Sequence, residues 1–195
     1  MAKQTSLNLM ERAWQWRRDS FDLPLSSKLA RLQAANQLMQ EAINVAVANN
    51  EEKNAAQAVH LLANLESDVG HLETAEYLWS FSVDLCRELG DAAMLAHKIR
   101  HLGDLYLRLK QVDRTIDCYE ESLQLYQSID ARDSETILDF ANLLVRYATI
   151  KKNLQKLQEA IDYFTQAEAM YIELNIEDGS NLCKVQINAL EGLIR

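Results

Sequence analysis

Residues 99–130 read IRHLGDLYLRLKQVDRTIDCYEESLQLYQSID, and residues 59–90 read VHLLANLESDVGHLETAEYLWSFSVDLCRELG. Laid over each other at an offset of 40, Val59, Leu62 and Ala63 meet Ile99, Leu102 and Gly103. Ala75, Trp79, Ser82 and Leu85 meet Thr115, Tyr119, Ser122 and Leu125. The first row has i, i+3, i+4 spacing and the second i, i+4, i+7, i+10, and either places its members on one face of a helix. Small residues alternate with aromatic ones, so antiparallel helices can approach closely while a large side chain fills the neighbouring gap.

The same offset reaches back to Ala35, Met39, Ala42, Val45 and Asn50. A step of 45 reaches forward to Ala160, Phe164, Ala167, Met170 and Asn175. One supersecondary unit is therefore repeated, which is the mark of a chain that buries its core between neighbouring units.

Punctuation divides the chain into about nine helices, near 5–18, 26–48, 52–67, 72–89, 92–109, 112–129, 134–152, 155–174 and 180–194. Ser26 or Ser27 is expected to cap the second helix after Pro24. Gly90, Asp130 and Asn175 are expected to take the left-handed conformation that ends a helix. The third unit contains extra residues, and either Phe140-Ala141 or Tyr147-Ala148 stands for Leu102-Gly103. The two differ by seven residues, so both put the same face inward.

With 195 residues and 48% hydrophobic content, the chain is long enough for one sizeable core or one continuous stack. Five glycines and one proline disfavour a turn-rich β chain. The net charge of −9 argues against nonspecific binding to nucleic acid or anionic membranes. Cys86, Cys118 and Cys183 have no CxxC spacing, so reduced thiols and a cytoplasmic location are expected. No apolar run approaches the ~20 residues that span a bilayer, and the N-terminus lacks the apolar centre of a secretory signal.

The motif pattern resembles the tetratricopeptide repeat. Ile99-(x2)-Leu102-Gly103-(x2)-Tyr106 with Thr115-(x3)-Tyr119-(x2)-Ser122 is similar to one such repeat. Val59-(x2)-Leu62-Ala63 with Ala75-(x3)-Trp79-(x2)-Ser82 is similar to a second, and Ala160-(x3)-Phe164-(x2)-Ala167 closes a third. The resemblance covers roughly residues 28–195, with a longer period than the usual one. It departs from the pattern in lacking the proline that often follows the second helix. It implies an all-α, tetratricopeptide-like right-handed solenoid, an α-α superhelix of antiparallel helices. The implied single domain has an atypical hairpin at 1–50, repeats at 51–90, 91–130 and 131–175, and a capping helix at 176–195.

The resemblance also implies a concave wall built from the first helix of each pair. The second helices carry four acids and one base each, whereas 91–110 carries Lys98, Arg100, Arg108 and Lys110 against Asp91 and Asp104. That contrast suits a solvated acidic exterior, and also a groove for an acidic or carboxylate-bearing peptide. The family's inward positions fall on His60, Asn64 and Asp68, on His97, Arg100, Asp104 and Arg108, and on Asn142 and Arg146. An asparagine amide there both donates and accepts, as holding a peptide backbone requires. Asp104 in the middle repeat and the missing lysine set depart from the family's carboxylate clamp.

His97 and His101 at i, i+4, with Asp104 one turn on, have metal-ligand spacing. A third ligand, His60, would come from another helix. Without a partner motif, ordinary hydrogen-bonded histidines are expected, with no metal and no cofactor. Trp14, with Leu7, Met10 and Phe21, forms one apolar stripe of the first helix. Trp16 lies on the other side among Arg12, Arg17 and Arg18, and Trp14 and Trp16 are the candidate interface residues. No catalytic constellation is present. A non-enzymatic adaptor or assembly scaffold that binds a protein or peptide is expected. The alternatives are a regulatory domain holding a small ligand or signalling peptide, and a homodimer through a terminal helix.

Overall fold

The computed structural model describes residues 5–194. Among them are nine α-helices and no strand: α1 (Ser6–Ser20), α2 (Leu25–Ala48), α3 (Glu52–Val69), α4 (Leu72–Leu89), α5 (Ala92–Arg108), α6 (Val112–Gln127), α7 (Ser134–Asn153), α8 (Leu157–Glu173) and α9 (Glu177–Ile194). The outermost residues of the expected domain, 1–4 and 195, lie outside the described set. The chain forms two compact units, Met1–Leu105 and Tyr106–Arg195, and the boundary falls within α5.

The helices begin and end for local reasons. Thr5 caps α1 by accepting from the Asn8 amide, and Asp133 caps α7 by accepting from the Thr136 amide. Neither Ser26 nor Ser27 caps α2. Pro24 holds the N-cap position with φ −55° and ψ 149°, and no side chain bonds the first turn. The ring fixes φ at a value that suits entry to a helix, so the proline alone sets the start.

Five helix ends are built alike. A residue with positive φ stands at Asn50, Gly70, Lys110, Gln155 and Asn175. The next amide then bonds back five residues: Glu51 to Ala46 O (2.8 Å), His71 to Glu66 O (2.9 Å), Gln111 to Tyr106 O (2.9 Å), Lys156 to Lys151 O (2.9 Å) and Ile176 to Tyr171 O (2.8 Å). This closure satisfies carbonyls that the helix leaves unpaired. Gly90 also has positive φ, but Asp130 does not. There the Arg132 guanidinium donates to Tyr126 O from Nε (3.0 Å) and from its terminal nitrogen (2.6 Å), covering the end of α6 without a left-handed residue.

The positive-φ positions also fix the register of the third repeat. Gly70, Lys110 and Gln155 stand at steps of 40 and 45, the steps that relate Ala63, Gly103 and Ala148. Tyr147-Ala148 is therefore the counterpart of Leu102-Gly103. Three of the five extra residues lengthen α7 at its start and the others extend the loop before it, and both Phe140-Ala141 and Tyr147-Ala148 are buried.

In the first unit, α1 packs on α2, α2 on α3 and α3 on α4. The core holds Leu9, Met10, Ala13, Leu32, Ala35, Met39, Leu62 and Leu65. Each fully buried Leu or Met is worth about 1.5–3 kcal/mol in transfer terms. The buried face of α1 is Ser6, Leu9, Met10, Ala13 and Ser20, and Trp16 packs against the core beside it. Leu7 and Phe21, members of the apolar stripe read from the sequence, are exposed. Small side chains at 6, 13 and 20 line the buried side of α1, and Ser6 bonds to Glu51 and accepts from Asn54 (3.2 Å) at the start of α3. Arg17 Nε donates to Asp68 (2.5 Å) and ties α1 to the end of α3. Ser82 donates to Ala56 O (2.9 Å), joining α4 to α3.

In the second unit, α6 packs on α7, α7 on α8 and α8 on α9. Aromatic pairs fill the layers: Tyr126 stacks on Phe140 with centroids 5.2 Å apart, and Tyr119 meets Tyr147 edge to face at 6.3 Å. The Tyr147 hydroxyl donates to Glu120 (2.5 Å). Burial, helped by that carboxylate, pushes the Tyr147 hydroxyl up to about 12. No helix among the described residues is long and apolar enough to cross a membrane.

Candidate functional site

The residues expected to serve recognition divide between the two units. His60, Asn64, His97, Arg100 and Asp104 belong to the first. Arg108, Asn142 and Arg146 belong to the second.

In the first unit, α3 and α5 bring three imidazoles together. The His60 ring lies 5.2 Å from that of His97 and 4.8 Å from that of His101, and His97 and His101 are 4.6 Å apart, centroid to centroid. His60 is 1% exposed, whereas His97 and His101 are half-buried. Burial is the main force holding the His60 imidazole well below its usual pKa. The nearby Lys98, His101, His97 and Arg100 act in the same direction. Its Nδ1 is buried without a hydrogen-bond partner. Trp79 stands behind it, with ring centroids 6.4 Å apart, and its indole nitrogen is likewise unpartnered.

Two cations of α5 are buried: Arg100, expected among the inward-facing groove positions, and Lys98, which enters the sequence reading only through the charge of the inner helix. Lys98 is fully buried and donates to Gln57 on α3. Arg100 is 5% exposed, and donates to Asp104 (3.2 Å) and to His101 Nε2 (2.9 Å). Asn64 is half-buried, and its amide nitrogen donates to His60 O (3.2 Å) one turn back. Asp68 is held by Arg17. These polar groups are largely engaged with their own unit.

The second unit presents a more open arrangement. Asn142 and Arg146, one turn apart on α7, line a cleft of about 370 Å³ with Leu107, Val145, Thr149, Tyr171, Gly179 and Leu182. Arg146 is exposed, and so is Arg108, which follows the lining residue Leu107 in the chain. Asn142 Oδ1 accepts from the Tyr171 hydroxyl (2.8 Å), which fixes the amide and leaves its NH2 as the donor. Gly179 allows this packing, because a Cβ there would lie 2.7 Å from the Tyr171 ring. Tyr171, Gly179 and Leu182 were not singled out in the sequence. The exposed apolar Leu182 on an otherwise polar α9 turn was the available signal.

A larger cleft, about 530 Å³, lies in the first unit away from the histidines. Ile43, Val47, Val59, Phe81 and Leu85 form its wall, with Glu51, Glu52 and Glu88 among its lining. Trp14 and Trp16 are both half-buried. Arg17 lies over Trp14 at 4.4 Å, and Arg12 and Arg31 each lie 5.8 Å from the Trp16 ring.

No family model matches the chain, and no curated protein matches it. Solved structures do. BtubC (BKLC) from P. vanneervenii superposes with a TM-score of 0.59 at 14% identity, over 98% of this chain and 93% of that one. Two structures of the nearly identical TPR-like repeats of a protein described as a Podosopora anserina kinesin light chain also match. One, a variant form, has a TM-score of 0.66 at 13% identity over 94% of this chain and 84% of that one. The other has a TM-score of 0.61 at 13% identity over 97% and 96%. Likeness at such identity speaks for fold, and the repeats seen in the sequence and in the turns agree with it. The chain has an all-α, tetratricopeptide-like helical-repeat fold.

Proposed function

We propose that this chain is a non-catalytic helical-repeat scaffold that captures a peptide segment bearing an acidic group. The observation that carries the reading is the α7–α9 cleft. It combines one fixed amide, one exposed guanidinium and an apolar floor. A backbone carbonyl of the peptide would take the Asn142 NH2, a carboxylate would take Arg146, and apolar side chains would cover Leu182 and Val145. Specific recognition by a few placed polar groups over an apolar surface is the usual economy of such sites.

The test is fluorescence anisotropy on an array of labelled peptides of about ten residues, half with acidic side chains and half with neutral ones. Acidic peptides are expected to bind, and Arg146→Ala with Asn142→Ala to weaken them by about 30-fold or more, the loss of one charge-assisted and one neutral hydrogen bond. Circular dichroism should show the helices intact. Equal binding of neutral peptides, or unchanged affinity in the double variant, refutes the reading.

A second reading has its own support. Leu182, Val185, Leu193 and Ile194 leave α9 with exposed apolar side chains, a surface suited to pairing with a second copy. Light scattering across concentrations tests it, and a strict monomer excludes it.

A further inference from the structure

The three histidines of the first unit have a property that peptide capture does not use. Each imidazole offers a nitrogen, and the three nitrogens all lie within 4.8 Å of one another. His97 and His101 sit one turn apart on α5, while His60 reaches them from α3. Tetrahedral zinc with Zn–N bonds near 2.0–2.1 Å needs nitrogen separations of about 3.3 Å. Side-chain rotation of about 1–1.5 Å closes that gap, and i, i+4 histidines can share one ion without backbone movement.

We infer that His60, His97 and His101 form a binding site for a zinc-class divalent cation, with one coordination position left open to solvent. The buried His60 Nδ1 has no hydrogen-bond partner, although such nitrogens are nearly always satisfied. A buried imidazole that carries an unsatisfied nitrogen and lies against two others forms a three-nitrogen donor set that a cation would complete. Three nitrogen donors with no thiolate or carboxylate select zinc and its late first-row neighbours over magnesium or calcium. The partial exposure of His97 and His101 gives the ion a route in.

Two nearby cations oppose the ion, and they make the inference testable. The Arg100 guanidinium donates to His101 Nε2 (2.9 Å), so an ion that takes this nitrogen must displace Arg100. Asp104 already holds Arg100 at 3.2 Å and gives it a place to stay. Lys98 is anchored to Gln57. Metal binding therefore competes with the Arg100–His101 bond, and removing Arg100 should strengthen it. A merely structural histidine cluster would show no such gain.

The experiment is titration of the full chain with Co2+ followed by its visible d–d absorption, and with Zn2+ by calorimetry, at neutral pH. One equivalent is expected to bind. His97→Asn and His101→Asn, at half-buried positions, should each weaken it at least tenfold while the far-UV spectrum is kept. Arg100→Gln should tighten it several-fold, and His71→Ala, at the exposed fourth histidine, should leave it unchanged. His60→Asn tests the buried ligand, and the other two variants decide the matter if it fails to fold. No saturable binding, or binding indifferent to His97→Asn and His101→Asn, overturns the inference.

Discussion

Replacing Gly179 by alanine tests the packing that shapes the α7–α9 cleft. An added Cβ would sit 2.7 Å from Cγ and Cδ1 of Tyr171 and 2.9 Å from Cδ2. Carbon atoms rest at about 3.5–4.0 Å, so the ring or α9 must move by about 1 Å. Tyr171 is 6% exposed, and its hydroxyl is bound to Asn142, so the ring has little room to yield. Overpacking of this kind costs about 1–3 kcal/mol. Displacing the hydroxyl forfeits a hydrogen bond worth about 1 kcal/mol. Against this, alanine in a helix gains up to about 1 kcal/mol over glycine. The net expectation is a loss of about 1–3 kcal/mol. Gly192, in the same helix, is the control, since nothing lies within 4 Å of its added Cβ. Gly192→Ala carries the propensity gain without the clash, and is expected to be neutral or up to about 1 kcal/mol more stable. Urea unfolding followed by far-UV circular dichroism measures both. If Gly179→Ala is as stable as Gly192→Ala, the close approach of α9 to Tyr171 is refuted, and the fixed Asn142 amide with it.

Burial pushes the Cys183 thiol up to about 11, so only about one in a thousand molecules carries the thiolate at pH 8. Iodoacetamide at that pH should modify half-buried Cys118 well before Cys183, read by peptide mass spectrometry, and equal rates would contradict the burial. Asp91 is held below its usual pKa by the Lys53 ammonium (2.7 Å) and then by the Met94 amide (3.1 Å). Its contribution is therefore present above the unfolded pKa near 3.8 and is lost as pH falls through the lower folded value. Asp91→Ala should cost about 1 kcal/mol at neutral pH through the lost cap, with little from the exposed lysine. The gap from wild type should close in acid, and a gap that persists at the lowest pH would disprove the assignment. Gln155→Gly relieves a left-handed φ of 61° on a non-glycine residue. It is expected to be stabilising by a few tenths to about 1 kcal/mol in thermal melts, and a clear loss would show that the turn carries no strain.

The repeat and its nine helices were legible because the spacing of small and large residues is set by helix geometry, which local sequence records directly. The register at Tyr147-Ala148 needed the turn at Gln155, a residue type with no preference for the left-handed region. Three kinds of feature escaped. The buried face of α1 runs through Ser6, Ala13 and Ser20, and small residues carry weak hydropathy even when their closeness decides packing. The burial of Lys98 and Arg100 leaves no mark in the sequence, because burial of a cation depends on partners such as Gln57 and Asp104 that only packing supplies. The pairing of His97 with His101 was visible at i, i+4, but the arrival of His60 from α3 was a matter of how two helices meet.

The repeated left-handed closure has a consequence for how such a chain tolerates change in length. Each turn fixes where the following helix departs, so an insertion within it would swing the partner helix away from its seat. The start of a helix is under no such constraint, and α7 has gained residues there while its hairpin with α8 kept the spacing of the others. Segments grafted ahead of the capping Asp133 should therefore be absorbed as a longer loop, whereas the same segments placed beside Gln155 should prise the hairpin open.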